Sequence, residues 1–379
     1  MQTLPMDPAS PDAAVAEREP PRQTAPALLV NLNTLRAVAA LAVVYAHITS
    51  EAGLNLHPSI GTRGVDIFFV ISGFIIAYIG SRNADRFFLR RLIRIVPFYW
   101  AATLALFSVV MVAPHLLRST QPDVIQLLCS IFFIPRETTY AGMFPTLVLG
   151  WSLNYEMYFY VIFSLSLLLS KRFAPILCCA AITAILLAIT ASGAQNPSIQ
   201  FYARPLVFEF VFGIVIFYLL YWVEKHRAAL QDVASGKILL LLLLAVALVA
   251  IFFIESRQGF GLPRQISSGI PAFLIVLSAI LLERIYRVTV NSRLLFLLGE
   301  ASYILYLIHP YVVYGMLRTV LRGNHHGLPA TIAIIAVLMA VSSTIAIGIH
   351  LAFEKPVMGF LRRKLLGERL PRADEVRQG

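Results

Sequence analysis

Ten stretches of this chain are apolar over a length that crosses a lipid bilayer: residues 31–51, 64–81, 97–118, 149–169, 173–192, 203–223, 237–254, 266–283, 295–317 and 330–354. An α-helix rises about 1.5 Å per residue, so about 20 apolar residues span a hydrocarbon layer of roughly 30 Å. Within that layer a helix satisfies its own backbone hydrogen bonds, which an open strand does not. The pattern therefore predicts an all-α integral membrane protein of about ten transmembrane helices. Composition agrees, because 58% of the 379 residues are hydrophobic and 13% are charged, against about 25% charged in a soluble domain.

Basic residues sort by loop. The two ends and the loops after the second, fourth, sixth and eighth windows carry 22 Lys and Arg, and the opposite set carries eight. Positive charge collects on the cytoplasmic side, which predicts that both termini are cytoplasmic. The net charge of +11 is then a topology signal and not a nucleic-acid footprint. Residues 1–27 hold six prolines and the run Glu17-Arg18-Glu19, and read as a disordered cytoplasmic tail with no cleaved signal peptide. Residues 28–355 read as the transmembrane domain and 356–379 as a basic cytoplasmic tail. Cys129, Cys178 and Cys179 read as packing thiols, with neither a disulfide framework nor metal-ligand spacing. The segment "DVIQLLCSIFFI" is too short to span and reads as a surface or re-entrant helix.

Ionisable residues inside such windows are costly and are functional candidates by default. The first window, "LRAVAALAVVYAHI", holds Arg36 near the cytoplasmic surface and His47 in the outer half, both on one helix face. By the same orientation Asp66, Glu156 and Glu209 fall in the outer half, as does His309, with Ser302, Tyr306 and His309 on one face. Pro310 is expected to kink that helix. Two histidines and three carboxylates thus gather in one layer, suited to moving a proton from a hydroxyl to an imidazole. The plainer readings are snorkelling for Arg36, core packing for the histidines, and helix-pairing roles for the carboxylates.

On the cytoplasmic side "RFFLRRLIRIVPFYW" brings Arg90, Arg91 and Arg94 together just before the third window. The plain reading is a topology signal in contact with anionic lipid. Guanidinium forks also suit phosphates, which accept paired hydrogen bonds. A phosphate-bearing donor docked there, with its reactive end reaching past Arg36 towards the histidines, has the shape of an acyl-coenzyme A.

The blocks "LRAVAALAVVYAHI", "GVDIFFVISGFIIAY", "FFLRRLIRIVPFYW", "WSLNYEMYFY" and "SYILYLIHP" together resemble the membrane-bound acyltransferase 3 family, closest to its exopolysaccharide-modifying O-acetyltransferases. The family's Arg and His of the first helix match Arg36 and His47. Its Arg-x-x-Arg motif matches Arg91 and Arg94, its fourth-helix carboxylate matches Glu156, and its Gly-Asp-Phe-Phe-type block falls on Gly64 and Asp66. Asn33, Thr34 and Ala37 stand where many members have an Asp and two glycines. The resemblance implies transfer of an acyl group, usually acetyl, from cytoplasmic acetyl-CoA or another acyl-CoA to a cell-surface carbohydrate, without a metal. With the residue pattern, it gives His47, Glu156 and Asp66 as catalytic candidates beside His309 from the outer layer, and Arg36, Arg91 and Arg94 as donor-binding ones beside Arg90 from the basic cluster. It further implies a multi-pass protein of the bacterial inner membrane, with membrane lipids and polysaccharide export or synthesis machinery as partners and no nucleic acid. The alternatives are a proton-coupled transporter or flippase of glycan intermediates, and a noncatalytic accessory subunit.

Overall fold

The computed structural model describes residues 29–51, 61–113, 121–231, 233–256, 261–319 and 327–367. The tail expected at 1–27 lies outside them. The helices are α1 (Val30–Glu51), α2 (Gly64–Gly80), α3 (Phe87–Val112), α4 (Val124–Ile131), α5 (Gly150–Leu169), α6 (Ala174–Ser192), α7 (Pro197–Tyr202) and α8 (Phe208–Lys225). They continue as α9 (Arg227–Gln231), α10 (Ala234–Ser256), α11 (Ile270–Tyr286), α12 (Arg293–Glu300), α13 (Ser302–Thr319), α14 (Leu328–Ile349) and α15 (Lys355–Leu366). Among the described residues, seven helical stretches are long and apolar enough to cross a membrane, and an eighth appears if the bent pair α12–α13 is one span. The shorter apolar helices α2 and Ser235–Ile251 fall on the second and seventh windows. The chain is an all-α, multi-pass membrane protein.

Three elements differ from the sequence reading. Helix α3 starts at Phe87, ten residues before its window, and runs through Pro97. Arg90, Arg91 and Arg94 therefore lie within the helix rather than ahead of it. A proline forfeits one hydrogen bond and crowds the preceding turn, but tertiary packing of Phe87, Ile93, Ile95 and Tyr99, all buried, carries the helix across. The ninth window is bent by 79° between α12 and α13, while Pro310 lies inside α13. The bend lets α12 dock on α1: Asn33 Nδ2 donates to the Phe296 carbonyl at 2.8 Å, and a Cβ on Gly299 would stand 2.2 Å from the Asn33 carbonyl oxygen. Finally, α14 passes through a π turn, His350–Glu354, into α15. The start of the stretch set apart as a tail is thus helical, and Arg86 Nη1 ties it to the start of α3 by donating to the Leu365 carbonyl at 3.0 Å.

Helix α4 has eight residues and does not span. Asp123 caps it, accepting from the Gln126 N–H at 2.9 Å, and Arg136 Nη1 reaches the same carboxylate at 2.8 Å. The Arg136 hydrogen bond, followed by that of the Gln126 N–H, holds the Asp123 carboxyl below its usual range. A depressed carboxyl stabilises the fold above its unfolded pKa, and the contribution disappears as pH falls through the folded value. Hydrogen exchange of α4 amides, corrected for intrinsic rates, should therefore lose protection as pH drops through and below the ordinary carboxylate range. Asp123→Asn should abolish that dependence.

Helices α2 and α8 pack closely through glycines on both. A Cβ on Gly73 would lie 2.1 Å from the Phe210 carbonyl oxygen, and one on Gly213 would lie 2.2 Å from that of Val70. Backbones approach this closely only across small residues. Gly73→Val or Gly213→Val should destabilise the protein by about 1–3 kcal/mol or more through overpacking, read as a lower unfolding temperature in detergent. Gly348→Ala, where an added Cβ meets nothing within 4 Å, should be nearly silent.

Candidate active site

A cavity of about 950 Å³ runs between α1, α2, α3, α5 and α13. On α2 its lining extends from Val65 to Ile79, fourteen residues or about 21 Å along the helix. At the end where α2 finishes and α3 begins, the wall carries Arg82, Arg90, Arg91 and Arg94, joined by Arg362 of α15. Arg91 is held by rings, its guanidinium carbon 5.3 Å from the Phe87 centroid and 5.9 Å from that of Tyr160. Its buried Nε has no hydrogen-bond partner among the described residues. A buried unpaired donor costs about 1–3 kcal/mol or more.

Midway along, Arg36 Nη2 donates to Ser302 Oγ at 2.9 Å. Opposite, Glu156 accepts from Ser72 Oγ at 3.2 Å and from the Tyr160 hydroxyl. The far end is lined by Val65, Phe68, Phe69, Ser152, Leu153 and Tyr306. The Tyr306 hydroxyl donates to the Leu149 carbonyl at 3.1 Å and lies 2.8 Å from Ser152 Oγ. Behind Tyr306 stands the His309 ring, centroid to centroid 6.2 Å, and 5.0 Å from His309 stands the ring of His47. His309 Nδ1 lies 3.0 Å from the Leu305 carbonyl. A carbonyl only accepts, so Nδ1 carries the proton and Nε2 the free lone pair. That Nε2 is buried without a partner among the described residues.

The layer of two histidines and three carboxylates expected from sequence separates into three groups. His47 and His309 do meet. Glu156 lies instead in the cavity wall beside the arginines. Asp66 and Glu209 are both fully buried elsewhere: Arg264 grips Asp66 with Nε and Nη2, each at 3.0 Å, and its Nε is 3.9 Å from Glu209. Arg264 had been counted as a loop charge, and its pairing with a carboxylate 198 positions away left no local signal. Four lining residues were missed as well. Tyr160 follows Glu156 at i+4, a readable spacing, whereas Arg82, Tyr303 and Arg362 carry no signal short of the fold. A buried pair, His350 Nδ1 to Glu354 at 2.6 Å, sits on the π turn and also escaped notice. No cluster of three or more metal-ligating side chains occurs among the described residues.

A helical membrane protein with one basic-to-aromatic cavity and a buried histidine pair is built for group transfer. The chain belongs to the acyltransferase 3 family, whose acyltransferase domain matches residues 29–349, and it is a membrane acyltransferase. It is 31% identical over 321 residues to the exopolysaccharide production protein ExoZ of Rhizobium meliloti (strain 1021), covering 82% of this chain and 94% of that one. It is 30% identical over 165 residues to a Staphylococcus aureus (strain COL) protein named "Putative O-acetyltransferase SACOL0978", covering 38% of this chain and 26% of that one. No solved structure matches the chain.

Removing one partner of a buried ion pair costs about 3–5 kcal/mol because the other charge is stranded. Arg264 is 36% exposed, so Asp66→Ala should fall at the lower end of that range. The double variant Asp66→Asn/Arg264→Gln should cost less than the sum of its parts, measured by thermal unfolding in detergent.

Proposed function

We propose that the protein transfers an acyl group, acetyl in the first instance, from cytoplasmic acyl-CoA to a hydroxyl of an exported or cell-surface carbohydrate. The proposal includes a bacterial inner-membrane location with both termini in the cytoplasm. One observation carries it: a single cavity joins a cluster of arginines to a wall containing Tyr306, with His309 next to Tyr306 and His47 next to His309. Its length of about 21 Å is comparable to an extended pantetheine arm. The R. meliloti relative, an exopolysaccharide production protein matched over 94% of its length, supports an exopolysaccharide acceptor.

In this reading Arg90, Arg91 and Arg94, with Arg82 and Arg362, pair the donor phosphates through guanidinium forks. Arg36 guides the arm past the middle of the membrane. The acceptor hydroxyl oxygen attacks the thioester carbonyl carbon while the imidazole of His47 takes its proton. The carbon–sulfur bond breaks, coenzyme A leaves as thiolate, and the imidazolium returns the proton to it. His309, fixed by the Leu305 carbonyl, holds the His47 ring from the side. Glu156 supplies negative charge among the arginines, which offsets their mutual repulsion. Asp66 acts through Arg264 as a brace for the fold rather than at the reacting atoms.

The variants should fail differently. His47→Ala should still bind coenzyme A and lose about 10²–10⁴-fold in transfer, the usual contribution of a general base. Arg91→Ala or Arg94→Ala should weaken donor binding, with Lys recovering only part because it lacks the fork. Arg36→Ala should impair donor placement, and Glu156→Gln should keep the fold and lose much activity. Donor binding to purified protein and mass spectrometry of surface glycans from complemented deletion strains measure these effects. Wild-type transfer by His47→Ala would move the base to His309, which is tested in parallel. Unchanged donor affinity in both arginine variants would overturn the donor site.

A further inference from the structure

The two ends of the cavity are built by opposite rules. The basic end is half-buried and formed by long side chains on three separate elements, α3, α15 and the turn after α2. The far end is formed by rings that have nowhere to go. Phe69, 3% exposed, is packed by Phe210 at 4.7 Å, Tyr155 at 6.1 Å and Trp151 at 6.4 Å between centroids. Phe68 stands edge-on to Tyr306 at 6.4 Å. Tyr306 is pinned at its hydroxyl by Ser152 and by the Leu149 carbonyl. A ring fixed at both its face and its hydroxyl swings only by breaking buried hydrogen bonds, and close-packed interiors do not yield continuously.

We infer that Phe68, Phe69 and Tyr306 form the acyl-selecting wall of the enzyme, admitting a short group such as acetyl and excluding medium chains such as octanoyl. The inference rests on the proposed donor reading and adds to it the residues that set acyl length. A thioester carbonyl brought up to Tyr306 leaves its acyl chain against these rings. Each added methylene then displaces either Phe68 or Tyr306. Displacing Tyr306 also disturbs His309, whose ring is its neighbour on the other side. A long acyl group is therefore rejected twice, once by lack of room and once by spoiling the alignment of the histidine pair. Selectivity by an unyielding wall exceeds what the loss of a favourable contact gives, since a missing methylene is worth only about 10–200-fold.

The test uses membrane vesicles of a deletion strain that keep the native acceptor and carry wild type, Phe68→Ala, Phe68→Leu or Tyr306→Phe. Consumption of acetyl-, butanoyl- and octanoyl-CoA is measured as kcat/KM, and coenzyme A affinity is measured on each purified protein. Wild type should prefer acetyl over octanoyl by more than about 200-fold. Phe68→Ala should reduce that ratio about tenfold by raising octanoyl use, with Phe68→Leu between. Tyr306→Phe keeps the ring and frees its hydroxyl end, so it should loosen the preference by a smaller factor. If Phe68→Ala does not fold, Phe68→Leu and Tyr306→Phe decide. Equal use of all three donors by wild type, or an unchanged ratio in folded variants that still bind coenzyme A, overturns the wall and leaves the donor site standing. Failure of wild type to bind coenzyme A overturns the donor site and the wall together.

Discussion

Charge taken into hydrocarbon must find a partner there, and the architecture depends on how this chain meets that demand. Arg36 reaches Ser302 across 266 positions of sequence. Ser72 reaches Glu156, and Arg264 reaches Asp66. Each link ties helices that no short loop connects: α1 to α13, α2 to α5, and α2 to the turn ahead of α11. Apolar packing alone gives little preference for one arrangement in a lipid solvent, because lipid tails are as apolar as leucine. The polar links and the glycine contact of α2 with α8 supply the specificity.

The same demand explains why a cavity persists at the centre of the bundle. Arg82, Arg90, Arg91, Arg94 and Arg362 bring five positive charges to one end, and Glu156 is the acidic residue in that wall. Like charges at this density separate their helices, and the space between them suits a polyanion. At the other end, aromatic residues close the gap by packing on one another. The resulting gradient, from charged to aromatic over one helix length, orients an amphipathic molecule without any moving part.

Much of this was legible in the sequence, and for identifiable reasons. The apolar windows and the helix class follow from length and hydropathy. Arg36 and His47 stood out because an ionisable side chain in a span is rare, and His309 stood out for the same reason. The sequence reading put both histidines in one layer, since each helix fixes depth by its rise, while the contact of their rings is visible only in the fold. Depth does not fix azimuth, however. Glu156 meets Ser72, six residues or about 9 Å along α2 from Asp66, whereas Asp66 and Glu209 both face Arg264, because tilt and the direction in which a helix presents a residue depend on its packing partners. The break at Ala301 was hidden for a related reason: hydropathy sums over α12 and α13 alike, whereas the bend depends on Gly299 fitting against Asn33. Arg362 was read as tail, because a basic amphipathic helix and a solvated tail have similar compositions.

Helix α2 has seventeen residues, from Gly64 to Gly80, or about 25 Å of rise. The hydrocarbon layer around it is about 30 Å thick. The helix that forms the longest wall of the cavity is therefore shorter than the barrier in which it sits. Lipid beside it must thin, or neighbouring helices must cover its ends, at a modest cost for each ångström of mismatch. Under the proposed donor reading, a tether of fixed reach spans nearly the whole of this short helix, and the hydrophobic thickness of the host membrane becomes a determinant of turnover.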